Sequence, residues 1–318
     1  MKSIRVSCFG DPPVLELRNV PSLAPAAGQV VVRLHAAGVN PVEAYIRAGK
    51  YARLPELPYT PGADGAGVVE QSGTPSLSAG TRVYVTASLT GTYAEQALCT
   101  ADQVFQLPDS VSFEQGAALG VPYGTAVWAL FNRGQVHSGE TLLIHGASGG
   151  VGLAGIQLAR AAGLRVFGTA GTPEGLELVT RNGAEAAFNH HDPHCVDKLK
   201  AATDGHGFDI ILEMAAHQNL GRDLTLLARG GRVVVVGSRG PVEIDARNLM
   251  LREADIRGIT LFSATPDDRA QIYLRISAGL LDGTLNPVIG STLPLGDAAK
   301  AHEQIMTSSA RGKIVLTM

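Results

Sequence analysis

The chain has 318 residues, 45% of them hydrophobic and 17% charged. That length suits one large domain or two ordinary ones, and the composition excludes a disordered or fibrous protein. With 26 Lys and Arg against 29 Asp and Glu, the formal charge is −3 and no basic run tracks a phosphate backbone, so nucleic acid is not an expected ligand.

From residue 1 to about 115 the pattern is short and strand-like. β-Branched runs at 29–38, 65–73, 81–87 and 93–99 are broken by Pro and Gly, which predicts a β-rich domain. From about 116 the rhythm becomes strand then helix: strands at 141–146, 164–170, 186–189, 208–215, 231–237 and 256–262 alternate with helices at 150–162, 173–182, 194–202 and 219–228. Such alternation predicts a doubly wound parallel sheet with its ligand at the carboxyl ends of the strands. An amphipathic helix over 297–306 and a strand over 313–318 follow, and this tail is expected to return to the first domain. The expected domains are 1–117 with 288–318, and 118–287, with the active site in the cleft between them.

The 38 glycines are neither periodic nor confined to tails, which predicts a glycine-lined ligand site. Cys8, Cys99 and Cys195 are too dispersed for a C-x-x-C pair or a disulfide framework, and Asp11, Pro12 and Pro13 stand where a signal peptide needs its apolar stretch. No apolar run approaches the roughly 18 residues of a membrane span. A cytoplasmic protein without a membrane partner is expected.

The segment TLLIHGASGGVGLAGIQLARAAG reads as a buried strand, a glycine turn and a helix with Val151, Leu153, Ile156 and Leu158 at helical spacing. This is the context that a dinucleotide-binding fingerprint requires. Gly149 and Gly150 let the backbone approach a pyrophosphate, which the free N–H groups of the helix start attract. Gly152 allows close packing of helix on sheet. Ala147 occupies the first glycine position of G-x-G-x-x-G, a departure from the strict pattern.

An acid at the end of the second strand of such a fold would bind the ribose 2′-hydroxyl of NAD and repel the 2′-phosphate of NADP. The stretch 168–172 carries none, and Glu174, after Pro173, reads as a first-turn helix acid. NADPH is therefore the expected cofactor, with His190, Arg239 and Lys313 as candidate phosphate neighbours.

The segments AAGVNPVEAYIRAGKY, LPYTPGADGAGVVE, GTYAEQAL, GAALGVPYGTAVWAL and HGASGGVGLA resemble the zeta-crystallin type of quinone oxidoreductase. The resemblance continues through NHHD, GGRVVVVGSRG, GITLFSAT and NPVIGS. It implies the zinc-free branch of the medium-chain dehydrogenase/reductases, an α/β fold with a GroES-like β-barrel domain and a Rossmann domain. It also implies cofactor contacts at Tyr45, Ser148, Gly149, Gly150, Val151, Gly171, His190 and Asn219, then at Val236, Gly237, Ser238 and Arg239, and at Ile259, Thr260 and Leu261.

Where the zinc alcohol dehydrogenases of that superfamily carry a Cys ligand this chain has Asn40, and where they carry Gly-His-Glu it has Gly62, Ala63 and Asp64. Zinc catalysis needs three protein ligands and an open position, so no metal is expected, and Asp64 reads as a structural, hydrogen-bonded acid. What remains is hydride delivery to an acceptor that needs little activation, a quinone or a conjugated enone. Tyr45 and Tyr51 offer flat surfaces and phenolic donors, while Asn40 is expected to make an amide contact beside the nicotinamide. These three are the candidate catalytic residues. The leading expectation is an NADPH-dependent quinone reductase. The alternatives are a zinc-free enone, alkenal or enoyl reductase, and a non-catalytic NADPH-binding structural or RNA-binding protein. A homodimer or homotetramer is expected through an apolar edge strand around residues 259–262, which has no charge or proline to block pairing.

Overall fold

A computed structural model describes residues 1–307 and 311–318, in two compact units. Among the described residues, the first comprises Met1–Val121 with 273–307 and Gly312–Met318, and the second comprises Pro122–Ile272 with Arg311. The second division falls at Ile272/Tyr273, earlier in the chain than the expected 287/288. Tyr273 packs against Phe105 in a tilted pair with ring centroids 4.9 Å apart, and Ser277 lies within hydrogen-bonding distance of the Tyr84 hydroxyl at 3.1 Å.

The first unit holds β1 (Lys2–Arg5), β2 (Glu16–Asn19), β3 (Gln29–Val39), α1 (Pro41–Arg47), β4 (Asp64–Ser72), β5 (Arg82–Val85), β6 (Gln96–Thr100), β7 (Val104–Gln106) and α2 (Phe113–Gly116). Later in the chain it gains β14 (Ile289–Pro294), α10 (Ala298–Thr307) and β15 (Lys313–Thr317). The sheet order is β14-β15-β3-β4-β5-β7, with β6 also on β3. Strand β3 is the hub. Its first half pairs with β6, its second half pairs antiparallel with β15, and its other edge carries β4. The tail strand thus closes onto the opening third of the chain. Val30, Val32, Leu34, Val69, Val83 and Val85 form one core, and Ile4, Val39, Tyr93, Ala301 and Leu316 belong to another.

Helix α3 (Gly120–Val127) and a π-helical turn (Trp128–Arg133) lead into the second unit, a parallel sheet in the order β10-β9-β8-β11-β12-β13. Its elements are β8 (Thr141–Ile144), α4 (Gly150–Ala161), β9 (Arg165–Ala170), α5 (Pro173–Arg181), β10 (Ala186–Asn189), α6 (Cys195–Ala201), β11 (Phe208–Glu213), α7 (Ala216–Leu226), β12 (Leu227–Val235), α8 (Ala246–Arg252) and β13 (Asp255–Gly258). Numbered from β8, the order is the 3-2-1-4-5-6 of a dinucleotide-binding sheet, and the chain changes direction between β8 and β11. All of β8 is buried, and α4 lies close to the sheet because Gly152 has no Cβ, which would fall 2.6 Å from the Ala147 backbone.

The edge strand differs from expectation. It is Asp255–Gly258, while Leu261–Ser263 form a 3₁₀ turn. The reason lies in the partner strand: the β12 register ends at Val235 opposite Gly258, and one further backbone bond, Ile259 N–H to Val235 O, closes the ladder. The apolar residues 259–262 therefore lie beyond the pairing. The strand that is present carries Asp255 and Arg257, themselves ion-paired at 2.7 Å. Helix α9 (Pro266–Leu281) follows.

Candidate active site

The glycine loop lies at the carboxyl end of β8, between that strand and α4. Gly149 caps α4 with extended backbone and no side-chain hydrogen bond, so the first N–H groups of this long helix are uncapped at the end of β8. Val151 lies in that first turn, and Ser148 is buried just before it. Gly171 follows β9. A Cβ there would lie 2.8 Å from His190 Nε2 and 3.0 Å from His191 Nε2, so the pair of imidazoles after β10 stands against the backbone where an acid would sit in an NAD enzyme. Burial, with the neighbouring His191, His145 and Arg222 adding to the effect, holds the His190 pKa below its ordinary value. Glu174 does occupy the first turn of α5, which Thr172 caps through the Gly175 N–H.

The third edge of the site is the turn after β12. Val236 and Gly237 donate their N–H groups to Glu213 O, and a Cβ on Gly237 would meet Met214 O at 2.6 Å. The Ser238 hydroxyl donates to Gly240 O, and the Arg239 N–H donates to His217 Nδ1. Asn219 on α7 donates to Glu213 Oε1 and accepts from Arg222. Ile259, Thr260 and Leu261 follow β13, with Thr260 capping the 3₁₀ turn. These cofactor candidates all belong to the second unit, whereas Tyr45 lies in the first.

The first unit carries a buried ionic cluster that dispersed sequence positions hide. Asp64, with no solvent exposure, accepts from Lys313 Nζ at 2.8 Å, from Asn40 Nδ2 at 2.9 Å and from the Val121 N–H at 2.7 Å. Asn40 Nδ2 also donates to Glu43 Oε1, and Asn40 Oδ1 accepts from Lys313. Both Asn40 amide hydrogens are therefore taken, and the expected contact to a nicotinamide is not open to them. Lys313 is likewise no phosphate neighbour, since it is buried on Asp64. Asp64 is the structural, hydrogen-bonded acid that its surroundings predict.

Glu43 extends the cluster. It accepts from the Asn40 and Ala63 N–H groups and, at 2.6 Å, from the Tyr93 hydroxyl, which lies 3.2 Å from His302 Nε2. Burial raises the Glu43 pKa against the pull of Lys313, with Asp64 adding to the rise. Of the tyrosine candidates, Tyr45 is half-buried on α1 and Tyr51 half-buried just beyond it.

Burial, with Arg47 nearby, holds His302 neutral down to about pH 4, from an ordinary 6.5. A depressed imidazole pKa stabilises the fold fully above 6.5, and this contribution is lost as pH falls toward 4 because the unfolded chain takes up the proton first. Denaturant titrations are expected to show about 2 to 3 kcal/mol more loss between pH 7 and 4.5 in the wild type than in His302→Gln. Equal losses would show that His302 is not held neutral.

A mostly antiparallel sheet in one unit and, in the other, a 3-2-1-4-5-6 parallel sheet with an uncapped helix at its switch point are the two parts of a medium-chain dehydrogenase/reductase. The model for the alcohol dehydrogenase GroES-like domain matches residues 26–109, and that for a zinc-binding dehydrogenase matches residues 150–278. Human quinone oxidoreductase is 49% identical over all of this chain and 98% of its own. The Pseudomonas syringae quinone oxidoreductase structure is 31% identical with a TM-score of 0.89, covering 100% of this chain and 99% of that one. The Escherichia coli quinone oxidoreductase complexed with NADPH is 28% identical, also with a TM-score of 0.89, and covers both chains fully. The chain belongs to the quinone oxidoreductase family.

The name of the second model raises the question of catalytic zinc, and the residues do not fit it. Ala63 offers no ligand atom, and Asn40 and Asp64 already hold the Lys313 ammonium, which balances the local charge. An ammonium accepts no lone pair, so no Lewis-acid step is assigned to this cluster.

Proposed function

We infer that the protein reduces quinones with NADPH. The observation that carries this reading is identity of 49% with human quinone oxidoreductase along the whole chain, and the uncapped α4 N-terminus supports it chemically. When bound, NADPH supplies a hydride, which with one proton converts a quinone to its hydroquinone. The chain's own part is binding and orientation. The α4 N-terminus and the turn after β12 hold the pyrophosphate side, Gly171 and His190 receive the 2′-phosphate, and Ile259, Thr260 and Leu261 border the nicotinamide end. Tyr45 and Tyr51 give the acceptor flat surfaces and hydroxyl donors. Asn40 acts as a positioning residue for Glu43 and Asp64.

The test is NADPH oxidation with ortho- and para-quinones, alkenals and an enoyl thioester. Turnover is expected with quinones, and NADPH is expected to bind at least about tenfold more tightly than NADH, or about 1.4 kcal/mol. Turnover confined to alkenals or enoyl thioesters would overturn the quinone assignment.

Among the described residues no helix is long and apolar enough to cross a membrane. The free thiols Cys8, Cys99 and Cys195 support a reducing, cytoplasmic setting. Assembly belongs to the same reading. Among the described residues strand β13 pairs only with β12, so a homodimer through its other edge is expected in sedimentation. A fully active monomer at micromolar concentration would remove it.

A further inference from the structure

The mechanism leaves one buried group of side chains without a role. His145 follows β8 and opens the turn that carries the glycine loop, Glu213 ends β11, and Asp223 lies on α7. His145 Nε2 is 3.1 Å from Asp223 Oδ1 and 3.9 Å from Glu213 Oε2. Asp223 is 1% exposed and Glu213 not at all.

These residues reach three edges of the cofactor site. The His145 N–H donates to Leu212 O, and its Nδ1 lies 3.0 Å from Thr169 Oγ1, so the start of the glycine loop is fixed between β11 and β9. Glu213 Oε1 accepts from the Ala215 N–H and from Asn219 Nδ2, while the Glu213 carbonyl accepts from Val236 and Gly237. One residue thus holds both Asn219 and the turn after β12.

An imidazolium against two carboxylates would leave a net negative charge in a place without water, which is costly. Two neighbouring buried carboxyl groups relieve that cost by keeping one proton between them. Glu213 Oε2 and both Asp223 oxygens have no hydrogen-bond partner among the described residues, and one side-chain N or O of each of the three residues lies within 4.8 Å of the other two. A shared proton would satisfy those oxygens. Burial raises the Glu213 pKa against the pull of His145, with Asp223 adding to the rise. On His145 burial works downward and is outweighed by Asp223, so its pKa stands above the ordinary value. Arg222 faces the cluster from α7 and His190 from beyond β10, while β9 offers the Thr169 hydroxyl. Arg222 donates to Asn219 Oδ1 and Gln218 O.

We propose that His145, Glu213 and Asp223 are positioning residues of the NADPH site that act as a neutral unit of imidazolium, carboxylate and carboxylic acid, with the acid proton shared between Glu213 and Asp223. The inference rests on the NADPH reading above. While the unit is neutral, the glycine loop and Asn219 are held with no net charge at the base of the anion site. Loss of the proton leaves one uncompensated negative charge there, which repels the cofactor phosphates. NADPH affinity therefore falls as pH rises.

The test measures NADPH dissociation constants on the full chain by calorimetry from pH 6.5 to 9. That window lies above the second ionisation of a phosphate monoester, near about 6, and above His190, which burial holds below its ordinary 6.5. Wild-type protein is expected to bind about tenfold more weakly at pH 9 than at pH 6.5. At pH 8 its binding should take up a fraction of a proton, read from buffers of different ionisation enthalpy. Glu213→Gln imitates the protonated acid and is expected to keep the pH 6.5 affinity across the window. His145→Gln leaves a permanent negative charge and is expected to bind about tenfold more weakly throughout. Quinone turnover at saturating NADPH should change less than about twofold in either variant, since the loss lies in binding. The proton uptake is measured on the wild type and does not depend on how the variants fold. A flat wild-type profile without proton uptake, or a fall that persists in folded Glu213→Gln, would overturn the proposal and leave NADPH binding in place. Wild-type protein that binds no NADPH at any pH would overturn the cofactor reading as well.

Discussion

Gly150→Asp is expected to abolish NADPH binding, by about 100-fold or more, equivalent to about 2.7 kcal/mol, while leaving the fold intact. Gly150 is the first residue of α4, behind an uncapped Gly149, and its φ is not among the positive values that restrict a position to glycine. An acid in the first helical turn is favourable for the helix itself, since it faces the positive end of the dipole. The same charge stands where the pyrophosphate would, so repulsion replaces attraction at the anion site. Stability and binding should thus move in opposite directions, with Tm unchanged or raised. Calorimetric titration with NADPH alongside a thermal melt reads both, and unaltered affinity would remove the loop from the cofactor site.

The second large effect is expected at Lys313. Lys313→Met keeps the length of the side chain and deletes the ammonium, leaving Asp64 fully buried beside Glu43 with no cation. Removing one partner of such a pair costs about 3 to 5 kcal/mol, which lowers Tm by roughly 10 °C in a protein of this size. Adding Asp64→Asn should recover much of the loss, because the orphaned charge disappears with it. A single variant as stable as the wild type would mean that water or a rearranged partner neutralises Asp64. Both variants carry cofactor titrations as a control, since the cluster lies outside the nucleotide-binding unit.

The parallel sheet was largely legible because its strands are continuous apolar runs and its helices keep a 3.6-residue period. Helix α4 and strand β9 match their expected limits within one residue. The edge strand was not legible in the same way. Residues 259–262 are as apolar as a strand, but a strand also needs a partner in register, and β12 has none to offer beyond Val235. Sequence carries the first property and not the second. The Asn40 contact failed for a related reason: only Glu43 is its sequence neighbour, while Asp64 and Lys313 arrive through β4 and β15.

The pairing of β15 with β3 also sets an order of events during synthesis. The second unit is drawn almost wholly from one continuous stretch, Pro122–Ile272, and can mature while ribosomes are still extending the polypeptide. The first unit cannot, because residues 36–39 of β3 lack their neighbour and Asp64 lacks its lysine until β15 emerges. Throughout that interval the nascent amino-terminal region presents an open strand edge and an uncompensated carboxylate, the kind of surface chaperones engage. Its folding is therefore post-translational in character, although its sequence is made first.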